Sequence, residues 1–243
     1  MSMDLIHPDW PAPGRVRAYS TTRTGGYSEG PWASLNLGVN TGDDPDAVAQ
    51  NRRLLRSMLP AEPLWLKQVH GTAVVQHSGA GTGAPEADAS VAMAPGRVCV
   101  VLTADCLPVL ICNRRGDRVA AAHAGWRGLA AGVLEATVSA LDDDPGSLLA
   151  WLGPAIGPAV YEVGDDVRDA FVSPSAGDFS SCFTARGDRW LFDLCGAARL
   201  KLAAAGVPAV YGGNACTFSE PRRFYSYRRE GQTGRMCSLI WLE

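Results

Sequence analysis

Histidine is scarce in this chain. There are four in 243 residues, so any metal or general-base site that uses imidazole must draw on His7, His70, His77 and His123. No C-x-x-C pair and no H-E-x-x-H motif occurs, which removes the compact zinc signatures. Cysteine is present seven times, an odd number without paired spacing. That excludes a simple disulfide framework, and Cys99, Cys112, Cys195 and Cys237, each within an apolar run, are expected to be reduced core thiols. No stretch reaches the ~18 apolar residues of a membrane span, and MSMDLIHPDWPAPG lacks the basic start and apolar segment of a secretory signal. The expectation is a cytoplasmic protein with no membrane partner. Neither sign of charge dominates, with 22 basic against 25 acidic residues and a formal charge of -3, so there is no general attraction to nucleic acid and the partner should be a small molecule. Internal repeats and Ser/Gly-rich linkers are also missing. With 47 % hydrophobic residues to build a core, residues 1–243 read as one domain, acting as a monomer or homodimer.

What is present is a mixture of strands and helices without strict alternation. This predicts an α+β fold with a mixed, largely antiparallel sheet and flanking helices. The first forty residues read as strand and loop. A helix follows, capped by Asp44 or Asp46, with Val48, Asn51, Arg52, Leu55 and Met58 at helical spacing and Pro60 as its stop. Residues 64–69 and 73–76 read as strands either side of His70-Gly71, and SGAGTGAPEADAS as a loop. VCVVLT, LPVLIC and DRVAAAH form a three-strand block, and RGLAAGVLEATVSAL a helix from about Arg127 with Leu129, Val133, Leu134, Val138 and Leu141 on one face. LLAWLGPAI is a buried strand, Glu162 to Phe171 a short helix and Asp193 to Ala205 a longer one. VPAVYGGN, RFYSYRR and MCSLIWL read as closing strands, the last two joined by EGQTG.

Two of the four histidines stand where an apolar run hands over to a loop, His70 in LKQVHG and His123 in AAHAGWRG, and Cys106 in TADCLPVL stands at another such junction. Functional side chains tend to emerge at such places. Asn-Arg-Arg-Gly-Asp is a turn between LPVLIC and DRVAAAH, and counting outward from it sets Cys106 roughly opposite His123. Only long-range folding can bring His70 to them. Two imidazoles and one thiolate are a catalytic zinc set that leaves a fourth position open. Three other readings remain: structural histidines, a Cys106 nucleophile with His123 as its base and no metal, and a copper centre with Met93 or Met236 as a distant axial ligand. A trinuclear copper centre needs more histidines than His7 and His77 can add. For anions, Arg127 and Gly128 at a helix start and Arg23 between hydroxyls and glycines are candidate phosphate contacts. PRRFYSYRREGQTGR holds five arginines, most of them expected on a solvated edge strand, with Arg228 best placed to point inward. Trp126, Tyr225 and Tyr227 are candidates to stack on a base, though strand aromatics more often pack in cores.

The motifs TTRTGGYSEGPWASLNLG, GDDPDAVAQNRRLL, LKQVHG, ADAS, TADCLPVLICN, VAAAHAGWRGL, WLGPAIGPAVYEVG, CTF and FYSYRREGQTGRMCSLIWL, in this order over residues near 20 to 243, resemble the YfiH-like family of purine nucleoside phosphorylases. That family is also known as the polyphenol oxidase or laccase-domain family, and the match is close to its bacterial YfiH type. The resemblance implies an α+β fold around one pocket, with zinc (copper being possible) on the residues matching His70, Cys106 and His123. It implies phosphorolysis of adenosine, inosine and methylthioadenosine by phosphate, and adenosine deamination. The family is also credited with copper-dependent polyphenol oxidation, and its bacterial type with editing of peptidoglycan precursors, for which Cys106 or zinc would serve an amidase.

Overall fold

In the computed structural model, which describes residues 3–79, 83–172 and 178–243, two large sheets pack face to face with helices on both outer sides. The first sheet has four antiparallel strands in the order β1 (Leu5–Ile6), β2 (Val16–Thr21), β13 (Met236–Leu242) and β5 (Cys99–Thr103). The second has six, in the order β12 (Ala209–Gly212), β8 (Leu148–Leu152), β6 (Leu107–Asn113), β7 (Val119–Ala124), β4 (Ala89–Ala92) and β3 (Val74–Gln76). It is antiparallel except for its edges, where β12 runs parallel to β8 and β3 to β4. A small antiparallel sheet of β10 (Phe183–Arg186), β11 (Arg189–Phe192) and β9 (Glu162–Val163) joins the second sheet's helical side.

Strand periodicity explains the layering. In β13, Cys237, Leu239 and Trp241 face α1 (Pro45–Arg56) with Leu35, Leu37 and Leu55, while Ile240 and Leu242 meet Leu110, Cys112, Val119 and Ala121 of the six-stranded sheet. The other face of that sheet, including Leu107, Val109, Ile111, Ala120 and Ala122, packs on α2 (Trp126–Ala131), α3 (Val133–Ala140), α4 (Asp165–Phe171) and α5 (Leu194–Ala204). Strands buried on both faces read as continuous apolar runs, which is why LPVLIC and LLAWL are legible. Helix α1 begins as expected, with the Asp44 side chain accepting from the Asp46 N–H and Pro45 in the first turn.

Several expected elements differ. VCVVLT does not pair with its sequence neighbours; β5 lies beside β13, so the three-residue link Ala104-Asp105-Cys106 crosses from one sheet to the other. Residues 64–69 are not a strand, since only isolated bridges at Leu64 and Lys67 form; the Gln68 side chain instead pairs with the Leu102 N–H and C=O at 2.7 and 2.8 Å. The helix expected over 127–141 is two, because Gly132 at φ +102° ends α2 and opens α3, although the expected apolar face is buried. Glu162 and Val163 pair with β11, and the helix there starts only at Asp165. SGAGTGAPEADAS ends inside β4 rather than in a loop, and its residues 80–82 lie outside the described ones. RFYSYRR contains no strand: Ser226 accepts from the Arg229 N–H and caps the single turn α6 (Tyr227–Glu230). No helix among the described residues is long and apolar enough to cross a membrane.

Candidate metal centre and its two cavities

His70, Cys106 and His123 converge at one end of the two-sheet sandwich, with their ligand atoms within 4.8 Å of one another. His123, next to last in β7, stands opposite Pro108; the ladder closes one step on at Leu107 and Ala124, and Cys106 follows, close to where counting from the turn sets it. The His70 Nε2 lies 3.8 Å from the Cys106 Sγ, and the two imidazole rings meet edge to face at 4.8 Å.

A buried carboxylate holds the two histidines together. Asp88 accepts from the Val69, His70 and Gly71 N–H groups at 3.2, 2.9 and 2.6 Å and from the His123 Nδ1–H at 2.8 Å, while its own C=O accepts from the His123 N–H at 2.7 Å. These bonds keep His70 at φ +62°, a conformation that a non-glycine residue adopts only when its surroundings compensate. They also commit the His123 Nδ1 proton, which leaves Nε2 as the ring nitrogen available to a metal. On the other side Asp105, at φ +90°, turns the crossover so that Cys106 faces the histidines. Its carboxylate accepts from the Thr217 hydroxyl at 2.6 Å and the Arg228 N–H at 2.7 Å, and its C=O accepts from the Ile156 N–H at 3.0 Å. Neither Asp88 nor Asp105 stood out in the sequence, although both lie within the matched motifs ADAS and TADC; an acidic residue flanked by small apolar ones is the signal that could have marked them.

Electrostatics prepares the thiolate. Burial opposes ionisation of Cys106, yet the His123 and His70 rings outweigh it and bring the thiol down to about 6. Burial likewise opposes charging of His123, but the Cys106 thiolate and Asp88 raise it to about 9. The metal-free centre is therefore a thiolate–imidazolium pair. In metal-stripped protein the alkylation rate of Cys106, mapped by mass spectrometry, is expected to rise with a midpoint near pH 6. A midpoint above about 8, the range of an ordinary thiol, would show that the pair does not form. Cys99, Cys112, Cys195 and Cys237 are pushed up to about 12 by burial and should stay unreactive, in keeping with core thiols.

The donor set suits a metal. It joins two neutral-capable imidazoles to one stabilised thiolate, an oriented His–carboxylate pair stands behind it, and space is kept for it. A Cβ on Gly125 would lie 2.7 Å from the His70 Cδ2 and 3.1 Å from the Cys106 Sγ. His7 and His77 do not line the cavities beside this centre, nor does Met93, and Met236 is buried with its sulfur accepting from the Tyr225 N–H.

Two cavities flank Cys106. A large one of about 690 Å³ includes His70, His123, Trp65, Arg52 and Arg235 in its walls, and a small one of about 140 Å³ includes Asp105, Trp126, Tyr161 and Arg228. Ala104, Cys106 and Tyr227 belong to both. Of the arginines singled out in the sequence, Arg228 lines the small cavity from a helical turn, not from a strand. Arg127 is exposed and stacks on Trp126, one wall away from the small cavity. Arg23 lines neither; it pairs with Glu230 at 2.8 Å and donates to the Ala33 and Pro221 carbonyls. Arg229 holds the Thr217, Phe218 and Phe224 carbonyls, so this stretch ties loops together and is not a solvated edge. Tyr225 is buried, with its hydroxyl donating to the Trp32 carbonyl, whereas Tyr227 is 61 % exposed where the two cavities meet.

A sequence model of the family described as multi-copper polyphenol oxidoreductase laccase matches residues 17–243. The chain is 54 % identical to the purine nucleoside phosphorylase YfiH of Escherichia coli and 56 % identical to the purine nucleoside phosphorylase PA4543 of Pseudomonas aeruginosa, in each case over 98 % of both chains. It belongs to the YfiH-like, laccase-domain family. The crystal structure of the Neisseria meningitidis protein NMB0706 superposes with a TM-score of 0.93 at 49 % identity, covering 98 % of this chain and 99 % of that one. The α+β architecture is thus the YfiH-like fold. Its histidine–cysteine cluster sits where the two sheets are joined.

Proposed function

We propose that this chain is a zinc-dependent purine nucleoside phosphorylase, with His70, Cys106 and His123 as metal ligands, that converts adenosine, inosine and methylthioadenosine to free base and ribose 1-phosphate. The observation that carries this reading is the convergence of three metal-competent ligand atoms at the wall of a cavity of about 690 Å³, together with close relatives that bear the phosphorylase name. The volume lies in the range of about 300–1,000 Å³ that encloses small organic ligands. Among the described residues no Asp or Glu lines it, and Arg235 stands in its wall without a carboxylate partner. Trp65 and Tyr227 offer aromatic faces for a purine.

Each residue has a physical task. Asp88 fixes the tautomer of His123 and the loop of His70, and Asp105 fixes Cys106, so the donors need no rearrangement to act together. A zinc ion, when bound, supplies Lewis acidity that the side chains alone lack. Adenosine deamination is proposed as a second activity of this pocket. A product assay tests the reading: adenosine with phosphate is expected to yield adenine and ribose 1-phosphate, and adenosine without phosphate to yield inosine. Absence of both ribose 1-phosphate and inosine would sink the enzyme assignment.

Two observations support other readings. The Cys106–His123–Asp88 chain resembles a nucleophile, base and orienting acid, which would suit an amidase acting on peptidoglycan precursors; that activity would survive chelation, whereas the proposed phosphorolysis would not. The family description names copper chemistry, and a strong visible charge-transfer band in protein as isolated would favour a copper–thiolate oxidase or electron carrier over zinc.

A further inference from the structure

The two cavities differ in size and chemistry, and Cys106 stands between them. We propose that the small cavity is an oxyanion chamber that takes the phosphate on the Arg228 guanidinium and the Tyr161 hydroxyl, while the nucleoside occupies the large cavity and ribose C1 lies where the two meet. This rests on the phosphorylase reading and divides its site between two substrates.

Size separates the occupants. A cavity of about 140 Å³ falls below the range of about 300–1,000 Å³ that encloses small organic ligands, whereas the large one lies within it. Phosphate has five non-hydrogen atoms; a nucleoside needs the larger space. Two side chains supply the polar contacts in the small one. Arg228 donates through Nη1 to the Glu162 carbonyl at 2.6 Å, and its guanidinium lies 5.2 Å from the Tyr161 ring centroid. No ion pair to a carboxylate, and no hydrogen bond from Nε or Nη2, is formed among the described residues. Tyr161 is 9 % exposed, and its hydroxyl has no protein partner among them. An exposed cation held at one nitrogen and a hydroxyl without a protein partner among the described residues therefore border the same small space. The one carboxylate there, Asp105, has both oxygens engaged, by Thr217 and by the Arg228 N–H. Arg127, stacked outside Trp126, adds positive charge through the wall.

The geometry suits phosphorolysis, in which the incoming oxygen and the departing base occupy opposite sides of the sugar. An oxygen of hydrogen phosphate bonds to ribose C1 as the C1–N9 bond breaks. The electron pair leaves on the purine, and the one proton of hydrogen phosphate ends on a purine nitrogen. Phosphate enters from the Arg228 side and the base remains in the large cavity.

The test compares Arg228→Met, which keeps the apolar stem, with Arg228→Lys, Tyr161→Phe and Arg235→Met. Calorimetric titration of inorganic phosphate into metal-loaded protein without nucleoside gives a readout independent of turnover. Arg228→Met is expected to raise both the Kd and the KM for phosphate about ten- to a hundredfold, the loss of a charge-assisted contact, with the KM for inosine little changed. Arg228→Lys should recover part of the loss, and Tyr161→Phe, the milder change, should produce a smaller rise if Arg228→Met proves unstable. Unchanged phosphate affinity in both Arg228→Met and Tyr161→Phe, or a phosphate defect confined to Arg235→Met, would overturn the proposal. Wild-type protein that binds phosphate at Arg228 but forms no ribose 1-phosphate would keep the oxyanion chamber and refute the phosphorylase reading instead.

Discussion

Replacing Cys106 by alanine is expected to remove the metal and the turnover together while the fold remains. Cys106 supplies the only thiolate of the cluster, and its side chain meets both histidine rings there, with the His70 Nε2 at 3.8 Å. It stands at a wall shared by both cavities, so truncation creates little new void, and the cost to metal-free stability comes from losing the thiolate beside the His123 imidazolium. The functional loss is larger. Two imidazoles without the thiolate lose the anionic donor that holds a divalent ion, and kcat/KM is expected to fall by about 10³-fold or more. The checks are metal content by elemental analysis, adenosine turnover, and urea unfolding of both proteins after chelation. Stoichiometric metal in the Cys106→Ala protein would show that the ion is held elsewhere. Full activity without metal would show that neither the ion nor the thiolate carries the chemistry.

Asp88→Asn should be the most damaging conservative substitution in the protein. Burial works against the Asp88 carboxylate, but the hydrogen bond from His123 and those from the Gly71 and Val69 N–H groups outweigh it and hold its pKa below the usual carboxylate range. A depressed carboxylate contributes stability that is fully present above the ordinary carboxylate pKa and is lost as pH falls through the folded-state value. An asparagine keeps the volume but turns an NH₂ group toward donors, leaving N–H groups without an acceptor. Breaking such a buried pair costs about 3–5 kcal/mol, and losing the partner behind a ligating histidine lowers metal affinity about 10–100-fold. The stability gap between wild type and Asp88→Asn should be widest near neutral pH and narrow on acidification below the carboxylate range. Urea midpoints over that range, with chelator competition for affinity, measure both effects. A gap that widens toward acid would mean that Asp88 is protonated in the folded protein.

Much of the architecture was readable from pattern. The capped α1, the hairpin of β6 and β7, the strand LLAWL and the helix after Asp193 all have local causes: a cap, a turn or a period that the residues themselves supply. The misreadings share a different cause. RFYSYRR alternates like a strand, but Phe224 and Tyr225 are buried and Arg228 and Arg229 are held by carbonyls of other segments, so α6 forms where no periodicity predicts it. Residues 64–69 have strand-like residues, yet the Gln68 amide occupies the Leu102 backbone groups that a neighbouring strand would use.

The candidate site divides along the same line. The amino-acid sequence by itself marked the candidate donors, because so few histidines exist that His70, His123 and a loop-adjacent Cys106 stand out, and because the turn at 113–117 sets two of them near each other. Only the tertiary structure decided that His70 joins them, through Asp88 18 residues away, and that Cys106 is presented by a crossover between sheets. It also decided which arginines meet a carboxylate. Arg23 pairs with Glu230, whereas Arg228 and Arg235 have no carboxylate partner among the described residues. Charge is legible in a sequence, but whether a charge already has a partner depends on contacts between distant segments, and those exist only once the sheets have packed.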